Sequence, residues 1–321
     1  MTLSTSHRPL YFDCDAGIDD SMALGFLLSS PEISLVGVGT VSGNTSAEQA
    51  AENVLRMLTL DGRDDVPVAL GQHDFRTHSF EGGPHEIHGA NGIGNVELPE
   101  THRSLIDQSA PEFIVELSKQ YPGELEILTV GPMTNLAAAI DLDPSLPERV
   151  KQVTAMGGAA WQSGNVSPVA EANVWNDPEA AQLVLEQSWP LTLVPLDVTL
   201  RNVLEESHRK QLLESDRPLA RAIGEMLDLY FDFYLSQYGR RCSALHDPLA
   251  AAIAVGSEVP TYTPAVPVCV DTTDGPGRGQ TIADLRGQLA GPKDEEGATT
   301  RVALETTGVF PNQLVHRLVG R

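Results

Sequence analysis

The sequence predicts an α/β fold: a mostly parallel open sheet flanked by helices, with a small antiparallel extension near the C-terminus. Three observations carry the prediction. Short apolar runs alternate with longer amphipathic ones through the first two-thirds of the chain, the pattern of strands joined by crossover helices and covered on both faces. Near residue 200 this alternation gives way to successive helical stretches, then to short strands separated by Gly-rich turns. The chain has 321 residues, 41% of them hydrophobic, enough to bury a sizeable core.

The expected elements run as follows. A strand over 10–12 leads into a helix over 19–28, and a strand over 33–38 into a helix over 47–60. After a strand over 66–70 the stretch to residue 109 is polar, rich in His and Gly and without periodicity, so it is expected to be a mobile loop. A helix over 111–120, a strand over 125–130, a helix over 133–140 and a strand over 150–156 resume the alternation. A helix over 178–186 and a strand over 191–196 complete it. Helices over 204–213, 219–234 and 248–254 follow. Segments 266–270, 279–284 and 300–305 are expected to pair antiparallel before a closing helix over 311–318. TTDGPGRGQ and GPKDEEGAT read as hairpin loops rather than linkers, and no internal repeat is visible, so residues 1–321 are expected to form a single domain.

Composition narrows the function. The net charge is −23, from 44 acidic and 21 basic residues, with only four lysines (Lys119, Lys151, Lys210 and Lys293). Such a surface repels phosphate backbones, so nucleic acid and anionic membranes are poor partners. Cys14, Cys242 and Cys269 are odd in number and far apart, which gives neither a disulfide framework nor zinc-ligand spacing. No basic-then-apolar leader and no membrane-length apolar run is visible, so a cytoplasmic location is expected.

The strongest chemical signal is Asp13-Cys14-Asp15-Ala16-Gly17-Ile18-Asp19-Asp20, directly after the first strand. Residues two apart on a strand share a face, which puts Asp13 and Asp15 together, and Gly17 permits a sharp turn that brings Asp19 and Asp20 to the start of the next helix. Asp19 or Asp20 alone would read as a helix cap, but four carboxylates at the carboxyl end of a strand sit where open α/β sheets bind ligands. Crowded like charges call for a cation, and an all-oxygen donor set suits Ca²⁺ or Mg²⁺, with flexible coordination favouring Ca²⁺. The spacing is not that of an EF-hand, since Ile18 and Leu24 stand where that loop needs Gly and Glu. Four histidines, His73, His78, His85 and His88, fall in the loop after residue 70, but their spacing fits no common zinc pattern.

These residues resemble the D-x-D-x-G-x-D-D signature of the nucleoside hydrolase family, inosine-uridine-preferring type. Val41-Ser42-Gly43-Asn44, Val130 to Asn135, Met156-Gly157-Gly158, Gly164-Asn165, Glu171-Ala172-Asn173, Asp177 to Ala181 and His246-Asp247-Pro248 follow in the family's order. Two positions depart from it: Ala16 stands where Pro is common, expected to loosen the turn, and Ala172 where Phe is common. The resemblance implies Ca²⁺ held by Asp15, Asp20, Asp247 and the carbonyl of Val130. It implies ribose binding by Asp19, Asn44, Asn165, Glu171 and Asn173, with Met156 near the 5′ end of the sugar. Asp15 would be the general base for a metal-activated water attacking C1′, Asp13 would support its neighbours, and His246 would serve the departing base. Tyr230, Tyr234 and Tyr238 become candidates to meet that base, His88-Gly89 resembles a loop motif that closes over substrate, and a homodimer or homotetramer is implied. Two other readings stay open on the residues alone. A haloacid-dehalogenase-type phosphohydrolase also begins with D-x-D after a strand, although Lys119 and Lys151 lie in the wrong settings for it. A non-catalytic ribose- or calcium-binding protein would keep the same scaffold.

Overall fold

The computed structural model describes residues 7–320. Seven strands form one parallel sheet: β1 (Arg8–Cys14), β2 (Ile33–Thr40), β3 (Val68–Leu70), β4 (Glu126–Thr129), β5 (Gln152–Met156), β6 (Leu191–Val194) and, last in sequence, β11 (Thr300–Val302). Their spatial order is β11-β6-β5-β4-β1-β2-β3. Two small antiparallel pairs stand apart, β7 (Val203–Glu205) with β8 (Cys242–Ala244) and β9 (Val268–Val270) with β10 (Thr281–Ala283).

Alternation along β1 shows how the sheet is covered. Leu10, Phe12 and Cys14 face a cluster that contains Met22, Phe26, Ile223 and Phe231. Tyr11 faces the other side, with Phe113, Ile127, Leu136 and Val184. Burial on both faces explains why these strands are continuous apolar runs. The sheet order turns at β1, with β2 on one side and β4 on the other. The crevice at the carboxyl ends of strands beside such a reversal is where ligands bind in open α/β sheets.

Four expectations need correction. The segment over 300–305 is not simply an antiparallel strand: Thr300–Val302 pairs in parallel with β6 and extends the main sheet. Its other side is antiparallel to residues 262–266, through Ala265 opposite Arg301 and Tyr262 opposite Glu305. GPKDEEGAT is therefore not a hairpin loop, whereas TTDGPGRGQ does join β9 to β10. A three-residue strand buried at Val302 has no periodicity from which to tell a parallel from an antiparallel partner. The apolar run through Leu196 divides, with β6 ending at Val194 and a helical turn occupying Leu196–Thr199. The expected helix over 204–213 begins only at Glu206, because Val203–Glu205 pairs with β8. Among the described residues no helix is long and apolar enough to cross a membrane.

Candidate active site

Chain geometry at the end of β1 gathers the carboxylates. Ala16 takes φ 47°, a left-handed conformation closed to proline, whose ring fixes φ near −65°. Alanine, unlike proline, admits this conformation of the turn. Beyond it, Asp20 folds back and accepts hydrogen bonds from the backbone N–H of Asp15 (3.1 Å) and of Gly17 (2.8 Å). Asn44 reaches in from the end of β2: its backbone N–H donates to Asp15 (2.7 Å), and its amide donates to Asp15 and Asp20, each at 3.1 Å. A Cβ at Gly43 would collide with the Asp15 carboxylate, so the approach of β2 requires glycine there. Asp247, at the first position of helix Asp247–Val255, completes the group. Carboxylate oxygens of Asp19, Asp20 and Asp247 all lie within 4.8 Å of one another, and all three residues are buried. Asp15 lies beside this trio, with its oxygens occupied by Asn44.

Among the described residues no Lys or Arg bonds to these four carboxylates; the donors are backbone N–H groups, the Asn44 amide and the Tyr230 hydroxyl. Burial, then the charge of Asp20, pushes Asp15 well above the usual carboxylate range. Burial, then Asp19, does the same to Asp247. Asp19 rises to about 6, again chiefly through burial, and its Oδ1 has no hydrogen-bond partner. Hard oxygen donors crowded together with an orphaned oxygen fit a divalent cation. Asp13 has other company: Tyr11 (3.2 Å) and the Asn135 amide (3.0 Å) donate to it, and Asn135 also ties it to the Thr40 carbonyl (2.9 Å).

Above the cluster lies a cavity of about 170 Å³. Asp19, Asn44, Val130, Met156, Asn165, Glu171, Asn173, Tyr230, Tyr234, His246 and Asp247 all line it; of the candidates from the sequence, Asp13, Asp15, Asp20 and Tyr238 do not, and Asp15 and Asp20 are both bonded by the Asn44 amide. The Asn173 amide donates to the carbonyls of Val130 (2.7 Å) and Met156 (3.2 Å), joining the ends of β4 and β5. Glu171 caps the short helix Ala172–Asn176 by accepting from the N–H groups of Asn173 (2.9 Å) and Val174 (3.2 Å), and also from Gly158 (2.9 Å). Burial raises it to about 7. Asn165 accepts from the Ala172 N–H at 3.0 Å. No lysine lines the cavity, so the phosphate-binding group of a phosphohydrolase is missing from it. A larger apolar groove of about 730 Å³ between Trp161 and Ile282 lacks the carboxylate cluster.

The tyrosines divide by role. Tyr230 donates to Asp19 at 3.1 Å, Tyr234 bonds Nε2 of His246 at 2.7 Å, and Tyr238 turns away to the Leu200 carbonyl at 2.9 Å. Nδ1 of His246 bonds Thr199 at 2.8 Å, and burial lowers its pKa to about 4, so the ring is neutral near pH 7. The four loop histidines do not converge. His73 bonds Glu48 at 3.1 Å, while His88 is buried, accepts from the Ile18 N–H at 3.1 Å and lies 5.4 Å from the Tyr230 ring. Among the described residues the three aspartates are the one group with metal-holding geometry. Sequence reasoning missed Thr199, Phe233 and Gln237, the latter two on the cavity wall. It also missed Asp197, which accepts from three consecutive N–H groups, those of Ala160, Trp161 and Gln162 (2.8, 2.7 and 3.1 Å), and so shapes the loop that carries Asn165. None of these residues has a local motif to announce it.

The family model described as inosine-uridine preferring nucleoside hydrolase matches residues 10–309. The chain belongs to this family. It is 37% identical over 266 residues to a probable uridine nucleosidase 2 of Arabidopsis thaliana, covering 81% of each chain. To an inosine-uridine preferring nucleoside hydrolase of Leishmania major it is 35% identical over 284 residues, 87% of this chain and 88% of the other. A solved structure, the purine-preferring ribonucleoside hydrolase from Gardnerella vaginalis, superposes with a TM-score of 0.89 at 35% identity, covering 98% of both chains. Members of this family are hydrolases of N-glycosyl bonds, and this chain is one of them.

Proposed function

We propose that the chain acts as one domain that hydrolyses ribonucleosides to free base and ribose with Ca²⁺ held by Asp15, Asp20, Asp247 and the Val130 carbonyl. The observation that carries this reading is the convergence of buried carboxylates without a cationic side chain at the floor of a cavity rich in amides and acceptors. A divalent cation bound there supplies positive charge that orients a water molecule and makes it more acidic. Asp15 accepts the proton as general base. Asp19, Asn44, Asn165, Glu171 and Asn173 offer the acceptors and donors that three ribose hydroxyls require, with Met156 beside them. Breaking the bond builds positive charge on the sugar, which the fixed carboxylates stabilise. His246 serves the departing base as a neutral imidazole: Thr199 holds one nitrogen, and the Tyr234 hydroxyl shares a proton with the other at the cavity wall.

The test is release of free base from inosine and uridine by purified protein. Asp15→Ala is expected to lower turnover by about a hundredfold or more; unchanged turnover removes Asp15 from the base role. Asp20→Ala is expected to weaken Ca²⁺ binding measured by calorimetry. A homodimer or homotetramer in the cytoplasm is part of this proposal, and light scattering checks the assembly.

A further inference from the structure

Helix Pro218–Tyr238 presents Tyr230, Phe233, Tyr234 and Gln237 to the cavity, positions i, i+3, i+4 and i+7 on one helical face. Their partners give this face a direction. Tyr230 is spent on Asp19, at the carboxylate end, and Tyr234, one turn on, is spent on His246. Gln237 lies about 10 Å along the axis from Tyr230 at the helical rise, beyond the groups that suit ribose. Tyr238, next to it, is committed to the Leu200 carbonyl. The cavity's apolar lining includes Ile87, Leu200 and Phe233, surfaces for the face of a flat ring, and Leu200 is held at this far end by Tyr238. Gln237 is exposed on the cavity wall, and its amide makes no hydrogen bond among the described residues.

We infer that the Gln237 amide reads the edge of the leaving base, making it a specificity-determining residue for the reaction. The inference rests on the proposed nucleoside hydrolysis with ribose at the carboxylate end. A primary amide donates and accepts together, so it pairs with the C=O and ring N–H of a lactam edge, as in uridine or inosine. By turning over, it also serves an amino edge. Gln237 therefore lets one site admit both kinds of base, and a group that only accepts does not.

The experiment compares kcat/KM for two pairs of substrates, inosine against adenosine and uridine against cytidine. Within each pair the ring size is constant and the edge changes from lactam to amine. Gln237→Glu faces the lactam oxygen with a carboxylate and accepts from the amine, so the inosine:adenosine and uridine:cytidine ratios are expected to fall about tenfold, the scale of one hydrogen bond to a charged group. Gln237→Ala is expected to lower kcat/KM for all four by about threefold with little change in the ratios. Gln237 is exposed near the helix end, so both variants are expected to fold, with circular dichroism as the check. Ratios within twofold of wild type in Gln237→Glu, with turnover retained, overturn the inference and leave the hydrolase reading standing. No base release from any of the four by wild-type protein overturns both.

Discussion

Replacing Asn173 with aspartate keeps the shape of the side chain and deletes its donors. In the native protein that amide serves two carbonyls, of Val130 at 2.7 Å and of Met156 at 3.2 Å, and the residue is only 8% exposed. An aspartate there turns two hydrogen bonds into two contacts between oxygens, far from water. Leaving a buried acceptor without its donor costs about 1–3 kcal/mol, so Asn173→Asp is expected to lose about 3 kcal/mol of stability near pH 8. Asn173→Ala, which removes the donor without adding an acceptor, is expected to lose less, about 2 kcal/mol. The sign with pH follows from protonation. A buried carboxyl facing carbonyls is stabilised when protonated, because it then donates one hydrogen bond, so its folded pKa is raised. The deficit of Asn173→Asp should therefore shrink as pH falls toward about 5 and grow as pH rises. Urea unfolding of wild type and both variants, in chelator and at both pH values, measures it. Stability of Asn173→Asp within about 0.5 kcal/mol of wild type at pH 8 would refute the amide orientation that joins β4 to β5.

Other consequences are open to measurement. Burial raises Glu171 from 4.5 to about 7, so the stability tied to its protonated form is complete below about pH 4.5 and is lost as pH rises through 7; this window is worth about 3 kcal/mol. Glu171→Gln, whose amide does not titrate, is expected to lack that part of the pH–stability profile, and parallel profiles for the two proteins would contradict it. Ala16 sits at φ 47°, so Ala16→Gly is expected to gain about 1 kcal/mol, read from the denaturation midpoints of the two proteins; an unchanged midpoint contradicts it. Asp197→Ala leaves three N–H groups unserved and is expected to lose about 3 kcal/mol and raise KM for nucleosides, because the loop bearing Asn165 loosens. An unaltered KM would show that this loop does not depend on Asp197.

Much of this architecture was legible because its signals are local. Strand–helix alternation follows from burial on both sheet faces, and the carboxylate motif lies within eight residues. Asp247, Asn173 and Glu171 are distant in sequence, and only the ordered resemblance linked them to Asp20; the structure brings them to one cavity. What stayed hidden depends on tertiary pairing. The direction of Thr300–Val302 is set by β6 and by the chain at 262–266, which no periodicity in three residues reveals. The left-handed turn at Ala16 gives no compositional warning, since alanine is not a residue expected at positive φ. Likewise Thr199 looks like any helix-end threonine until His246 is found 2.8 Å away, and Gln237 like any surface glutamine until its helix face is placed over the cavity.

Calcium titrated by calorimetry into metal-stripped protein, with base release from inosine followed in the same preparation, tests whether the carboxylates act through a cation. The expected result is one Ca²⁺ per chain, no base release in chelator, recovery on adding calcium, and loss of both binding and recovery in Asp247→Asn. Full turnover in chelator with no calcium bound would contradict the account, because the aspartates would then be working with no ion among them.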